Sequence, residues 1–248
     1  MRYHLDTIPV WDACKENSEC LVCILEAKAE RAYVESFLGG SVMEPATRIE
    51  VNDKGFCPHH NKMLFDAKNR LGLALMTHTH TVETIKKLKK LSGKAASDPS
   101  SKLLDRLVSR DRNSKKSARD LADWIRKHVT DCIICDRLAN SMNRYIYTII
   151  YLWEHEKEFR SALAASKGFC LPHLAMILES AADNLSTSRL DDFFSDIIPV
   201  ELQNLERLEQ ELKWFTLKFD YRNQDKPWGN SRDAVQRVLQ KLTGKYME

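Results

Sequence analysis

The chain has 248 residues, enough to bury a substantial core in one large domain or two small ones. Hydrophobic residues make up 43% and charged residues 29%, the balance of a globular protein in water, and no apolar run approaches the roughly 20 residues that span a bilayer. The net charge of +3 conceals a basic stretch, Lys86 to Arg119, where 12 Lys and Arg face 3 Asp on an otherwise acidic chain.

In chain order, Met1-Arg2-Tyr3-His4-Leu5-Asp6 contains no apolar signal core, so a cytoplasmic location is expected. Disulfides are rare there, and seven cysteines then call for metal or redox chemistry. After Cys23, the residues Ile24, Leu25, Ala29, Ala32, Tyr33 and Phe37 recur at helical spacing, and Gly39-Gly40 stops the segment. Pro58 suits the first turn of a helix. Leu64, Leu71, Leu75, His78, Val82 and Ile85 form one stripe of a long helix reaching about Leu91, with His78 on the core side and His80 toward solvent.

The run from Ser92 to Ser101 reads as a linker. An aromatic-rich helix follows from about Cys135 to Ala165, then a helix opened by Pro172. Another begins near Ser188 and is interrupted at Pro199, and Asn230-Ser231 cap a last helix that Gly244 ends. No period-2 strand pattern occurs. The expected fold is an all-α helical bundle of two pseudo-equivalent halves, each with a Cys3His metal site. Its divisions are residues 1–92, a basic linker 93–118, residues 119–185 and a C-terminal helical part 186–248.

The halves are defined by a recurring motif. Cys20-Leu-Val-Cys23 is followed by Gly55-Phe56-Cys57-Pro58-His59-His60, and Cys132-Ile-Ile-Cys135 by Gly168-Phe169-Cys170-Leu171-Pro172-His173. Cys23 and Cys57 are 34 positions apart, Cys135 and Cys170 35. An acid precedes each first cysteine (Glu19, Asp131), and a tyrosine follows each second one by ten (Tyr33, Tyr145). Only Cys14 lies outside the pattern.

Structural zinc takes four Cys or His ligands, commonly in closely spaced pairs. Positions three apart at a helix start face one side, and the positive end of the helix dipole favours the thiolate that binds metal. The glycine before each Phe-Cys permits a positive φ or a close approach of chains. Two zinc ions per chain are therefore expected. One grouping puts Cys20, Cys23, Cys57 and His60 at one ion and Cys132, Cys135, Cys170 and His173 at the other. An interlocked arrangement instead joins the Cys-x-x-Cys of one half to the Cys-x-x-His of the other. An iron–sulfur cluster or thiol redox chemistry is the alternative use of the same residues. Four protein ligands leave no open position for water or substrate, which argues for a structural metal and against an enzyme.

Other groups have plainer readings. His59 neighbours His60 as a substitute ligand, and His128 lies four residues before Cys132. Glu154-His155-Glu156-Lys157-Glu158 reads as a solvated helix end. The basic residues 86–119 either keep a linker solvated or contact phosphate on a nucleic acid, without aromatic interleaving for base recognition.

The duplicated Cys-x-x-Cys and Gly-Phe-Cys-x-x-His motifs, and the tail Lys218-Phe219-Asp220-Tyr221-Arg222-Asn223-Gln224-Asp225-Lys226-Pro227-Trp228-Gly229, resemble an uncharacterised prokaryotic family, domain-of-unknown-function family 6062. The resemblance covers most of the chain and carries no activity. The tail is expected to turn back onto the bundle or to form a recognition surface. The function expected overall is a zinc-stapled helical scaffold for a protein partner, without membrane attachment.

Overall fold

The computed structural model describes residues 4–96 and 105–244, with side chains at 6–92 and 115–244. Among these residues the chain is all α, without a strand. The helices are α1 (His4–Lys15), α2 (Leu21–Leu38), α3 (Pro45–Lys54), α4 (Pro58–Asp66), α5 (Arg70–Ala96), α6 (Asp105–Thr130), α7 (Ile133–His155), α8 (Lys157–Ala164), α9 (Leu171–Asn184), α10 (Thr187–Leu217) and α11 (Ala234–Thr243). Short 3-10 turns occupy Gly40–Met43, Tyr221–Asn223 and Gly229–Ser231.

Local chemistry sets many of these limits. Pro45 and Pro58 open α3 and α4, and Pro172 lies in the first turn of α9, where a missing N–H is harmless. Ser186 caps α10 by accepting the Arg189 N–H. Gly244 ends α11 in the left-handed region, as expected from the sequence.

Several expectations are corrected. The long helix expected from Leu64 to Leu91 is two helices, broken between Asp66 and Arg70 where Lys68 takes a φ of 65°. Helix α5 then runs through Ser92 and Gly93, while α6 begins at Asp105, inside the segment expected to be linker. The remainder of that linker, 97–104, lies outside the described residues, as do the side chains of 93–114 in the basic stretch. The helix expected over Cys135–Ala165 breaks at Glu156, whose extended backbone precedes α8. Pro199 does not interrupt α10, because Phe193, Ile197, Val200, Glu201 and Leu208 keep one buried face across it. The Asn230-Ser231 turn stands before α11 instead of capping it.

The face of α5 is also rotated from the expected one. Leu71, Leu75, Val82 and Ile85 are exposed, as is His78, while Gly72 and Met76 are buried. Helix α3, for which the sequence showed no periodicity, explains this. It packs against α5 through small and polar groups, with Arg48 donating to Thr79 at 3.0 Å and His80 Nδ1 3.2 Å from the Asn52 carbonyl.

The chain divides into two compact units, one of residues 1–29 and 139–248, the other of 30–138. The boundaries fall inside α2 and α7, so the units do not follow the order of the motifs along the chain. In the first unit, Trp153 meets Phe193 edge-on at 4.8 Å and Trp11 meets Phe159 at 5.1 Å. In the second, Val34, Phe37, Leu38, Val51, Leu64, Met76, Ile133 and Ile134 form one buried cluster. Each such side chain contributes about 1.5–3 kcal/mol of burial. Among the described residues, no helix is long and apolar enough to cross a membrane.

Candidate metal centres

All eight expected ligands come together in two groups of four, and the groups are crossed. The first unit gathers Cys20, Cys23, Cys170 and His173, and the second gathers Cys57, His60, Cys132 and Cys135. Grouping within each half, Cys20 and Cys23 with Cys57 and His60 or Cys132 and Cys135 with Cys170 and His173, is thus not what the fold brings about. The interlocked arrangement is.

Each pair sits at a helix N-terminus. Cys20 and Cys132 stand just before α2 and α7, and Cys57 and Cys170 are the N-caps of α4 and α9. The second member follows three residues on, inside the first turn. The Cys23 N–H donates to Cys20 Sγ at 3.4 Å, the reach of an N-cap side chain to the third helical position. The helix dipole and the unpaired N–H groups there favour the thiolate form.

The approach of each Cys-x-x-His pair depends on the preceding glycine. Gly55 and Gly168 have φ of 69° and 70°, a region that side chains other than hydrogen rarely adopt. A Cβ on Gly168 would lie 2.1 Å from Glu201 Oε1, and one on Gly55 2.6 Å from His80 Nε2. The following Phe169 is fully buried, while Phe56 is partly buried edge-on against Phe37.

In the first group, Nδ1 of His173 lies 3.5, 3.5 and 3.1 Å from the sulfurs of Cys20, Cys23 and Cys170, and the sulfurs of Cys23 and Cys170 are 3.6 Å apart. In the second, Nδ1 of His60 lies 3.3, 3.2 and 3.4 Å from Cys57, Cys132 and Cys135, with 3.8 Å between the sulfurs of Cys57 and Cys135. Zn–S bonds of about 2.3 Å and a Zn–N bond of about 2.0 Å in a tetrahedron require about 3.8 Å between sulfurs and about 3.5 Å between sulfur and nitrogen. No pair is a disulfide; all seven cysteines are free. The donor set and its spacing fit a single tetrahedral ion in each group.

The far side of each imidazole is held by a carboxylate that sequence reasoning missed. His60 Nε2 is 3.0 Å from Glu30 Oε1, and His173 Nε2 is 3.4 Å from Glu26 Oε2. Glu26 follows Cys23 by three positions, the same-face spacing of a helix, and that was the available signal. Such partners fix the tautomer and would aim Nδ1 at a bound ion.

Electrostatics within the groups favours charge separation. Burial opposes the His60 cation, but hydrogen bonds to Cys132 and Glu30 outweigh it and raise its pKa to about 10. Burial also opposes the His173 cation, and contacts with Cys170, Cys20 and Glu26 bring it up to about 12. Burial likewise disfavours the Cys132 thiolate, yet the hydrogen bond to His60 and backbone bonds at Cys135 and Cys57 lower it to about 6. Cys135 is pushed up to about 12 by burial and by the neighbouring Cys132 charge. In each group one thiol is thus favoured as the thiolate a metal ion takes up, Cys20 in the first and Cys132 in the second, while Cys23 and Cys135 are pushed up.

The surroundings of the groups differ. Cys20, Cys23, Cys170 and His173 are all buried. The Gly244 carbonyl lies 3.4 Å from Cys23 Sγ, and in the last turn of α11 the fully buried Lys241 reaches Glu201 at 2.8 Å and the Lys167 carbonyl at 2.6 Å. Glu19, also buried, pairs with Lys167, Arg207 and Arg237. In the second group Cys57 is half-buried and Cys135 exposed.

The remaining candidates stay outside the groups. His59 is exposed and meets the same Glu30 oxygen at 3.0 Å. His128 pairs through Nε2 with Thr84 at 2.9 Å and stacks on Trp124 and His80. His155 stacks on Tyr151 and lies 2.9 Å from its carbonyl. Cys14 is half-buried apart from both groups, and burial pushes its thiol pKa up. The tail turns on Lys218, whose buried amine donates to the carbonyls of Asn223, Gln224 and Lys226 at 2.6–2.7 Å beneath the Trp228 ring.

The family model described as a family of unknown function (DUF6062) matches residues 1–248. The chain belongs to that family. It is also similar to the "Uncharacterized 23.9 kDa protein in xynA 3'region" of Caldicellulosiruptor sp. (strain Rt8B.4), at 22% identity over 216 residues, covering 84% of this chain and 86% of that one. No solved structure matches.

Proposed function

We propose that this protein binds two zinc ions as structural staples and serves as a helical scaffold for a protein partner. The observation that carries the reading is the convergence of three sulfurs and one imidazole nitrogen within 4.8 Å in each group. Zinc supplies no redox chemistry there; it ties together segments far apart in the chain. Cys23 and Cys170 are 147 positions apart, and clips that close long loops remove the most disorder from the unfolded chain.

Sulfurs in contact at 3.6 and 3.8 Å favour one ion over an iron–sulfur cluster, whose iron and sulfide would hold the thiolates apart. Four protein ligands per ion favour structure over hydrolysis. For a partner surface, the support is the exposed apolar face of α5, from Leu71 and Leu75 to Val82 and Ile85. Metal analysis of the purified protein tests the reading: about two zinc per chain, with a large drop in stability on chelation. Metal-free protein of unchanged stability would overturn it, and a visible absorption band with iron would replace zinc by a cluster.

A further inference from the structure

The two groups share a donor set but not an environment, and the difference has a chemical consequence. Resting on the zinc reading, we propose that the Cys57–His60–Cys132–Cys135 site is a reactive zinc–thiolate centre, open to soft electrophiles and able to release its ion, while the Cys20–Cys23–Cys170–His173 site is closed.

Zinc-bound thiolate remains a nucleophile, so its reactivity is governed by access. Cys135 is exposed and Cys57 half-buried, whereas every ligand of the other site is buried. The Gly244 carbonyl also stands 3.4 Å from Cys23 Sγ at that closed site. In the reaction with an alkyl halide, the Cys135 sulfur forms a bond to carbon, the carbon–halogen bond breaks, and halide leaves with the electron pair. A charged thiolate ligand becomes a neutral thioether, which holds zinc poorly, and the ion loses one of its three anionic ligands.

Among the described residues, a second feature occurs only at this site. Glu30 bridges His60 to the exposed His59, with both Nε2 atoms 3.0 Å from one oxygen, so a carboxylate and a second imidazole stand beside the ligand set. These three residues themselves form a group with metal-binding spacing. A departing or arriving ion thus meets donors outside the cluster. Beside His173, Glu26 has no second imidazole in any metal-binding group among the described residues.

The test treats zinc-loaded full-length protein with iodoacetamide while a chromogenic chelator of modest affinity records released zinc, and peptide mass analysis locates the modified cysteines. The expected result is one zinc released in a fast phase that tracks labelling of Cys135 and Cys57, with the second at least ~10-fold slower. Cys14 labels without release and serves as an internal reference. Cys135→Ser should abolish the fast phase while retaining about one zinc. Release of both ions at one rate, or earlier labelling of Cys20, Cys23 or Cys170, overturns the proposal and leaves the zinc reading intact. Absence of zinc before treatment removes both.

Discussion

Glu30 holds Nε2 of His60 at 3.0 Å, which leaves Nδ1 as the ring nitrogen turned to three sulfurs. Replacing it with Gln removes the charge that orients and polarises the imidazole. Glu30→Gln should weaken zinc binding at the second site by about 10- to 100-fold and leave the first unchanged. Competition against a calibrated chelator measures this, and equal weakening of both sites would contradict it.

Gly168 cannot carry a side chain at its φ of 70° without displacing Glu201 from Lys241, a pair in which both members are buried. Gly168→Ala should destabilise the protein by about 3–5 kcal/mol, the cost of breaking a buried ion pair. Gly40, with nothing within 4 Å of an added Cβ, is the control, and Gly40→Ala should change stability by less than ~0.5 kcal/mol. Urea denaturation of the two variants compares them.

Lys218 closes the tail through three carbonyls. Lys218→Met keeps much of the length and loses the donors, and should cost about 2–3 kcal/mol. Because Trp214 donates to the Pro227 carbonyl at 3.1 Å, its emission should report the loosened turn. Unchanged stability and emission would show that the tail does not depend on Lys218.

Asp196 carries a pH dependence of defined sign. Burial raises its pKa, but Arg160 and the Trp153 Nε1–H, 2.9 Å away, outweigh this and hold it below the ordinary carboxylate range. The folded state therefore binds this proton less readily than the unfolded state. The stabilisation is fully present above an unfolded value of about 3.9 and is lost as pH falls through the folded one. Asp196→Asn should lower stability by about 1–3 kcal/mol at pH 7, with the gap from wild type narrowing below ~pH 4. Denaturation curves across pH 2–7 check both parts.

The eight candidate donors, the helical class and the two positive-φ glycines were legible because each is written locally. A motif four residues long places its own side chains, and Gly-Phe-Cys close before a proline states its own turn. Pairing was not legible, since both Cys-x-x-Cys motifs offer the same donors to either Cys-x-x-His. The rotated face of α5 was hidden for a different reason. Its buried side is lined by Gly72, Met76, Thr79 and His80 against a polar helix, so the apolar residues trace the wrong side. Glu26 and Glu30 look like ordinary helix-surface acids until the fold brings an imidazole to each.

The crossed ligand sets impose an order on a chain made from its N-terminus. Cys57, His60, Cys132 and Cys135 are all synthesised before Cys170, which follows 35 positions later. The inner set is therefore complete while Cys20 and Cys23, the earliest ligands to emerge, still lack half of theirs. On the zinc reading, nascent protein would pass through a stage in which the inner set can bind its ion while two cysteines near the beginning remain uncommitted. Any break in translation between residues 135 and 170 leaves those two thiols without their partners, so the last ligands made decide whether the first are ever protected.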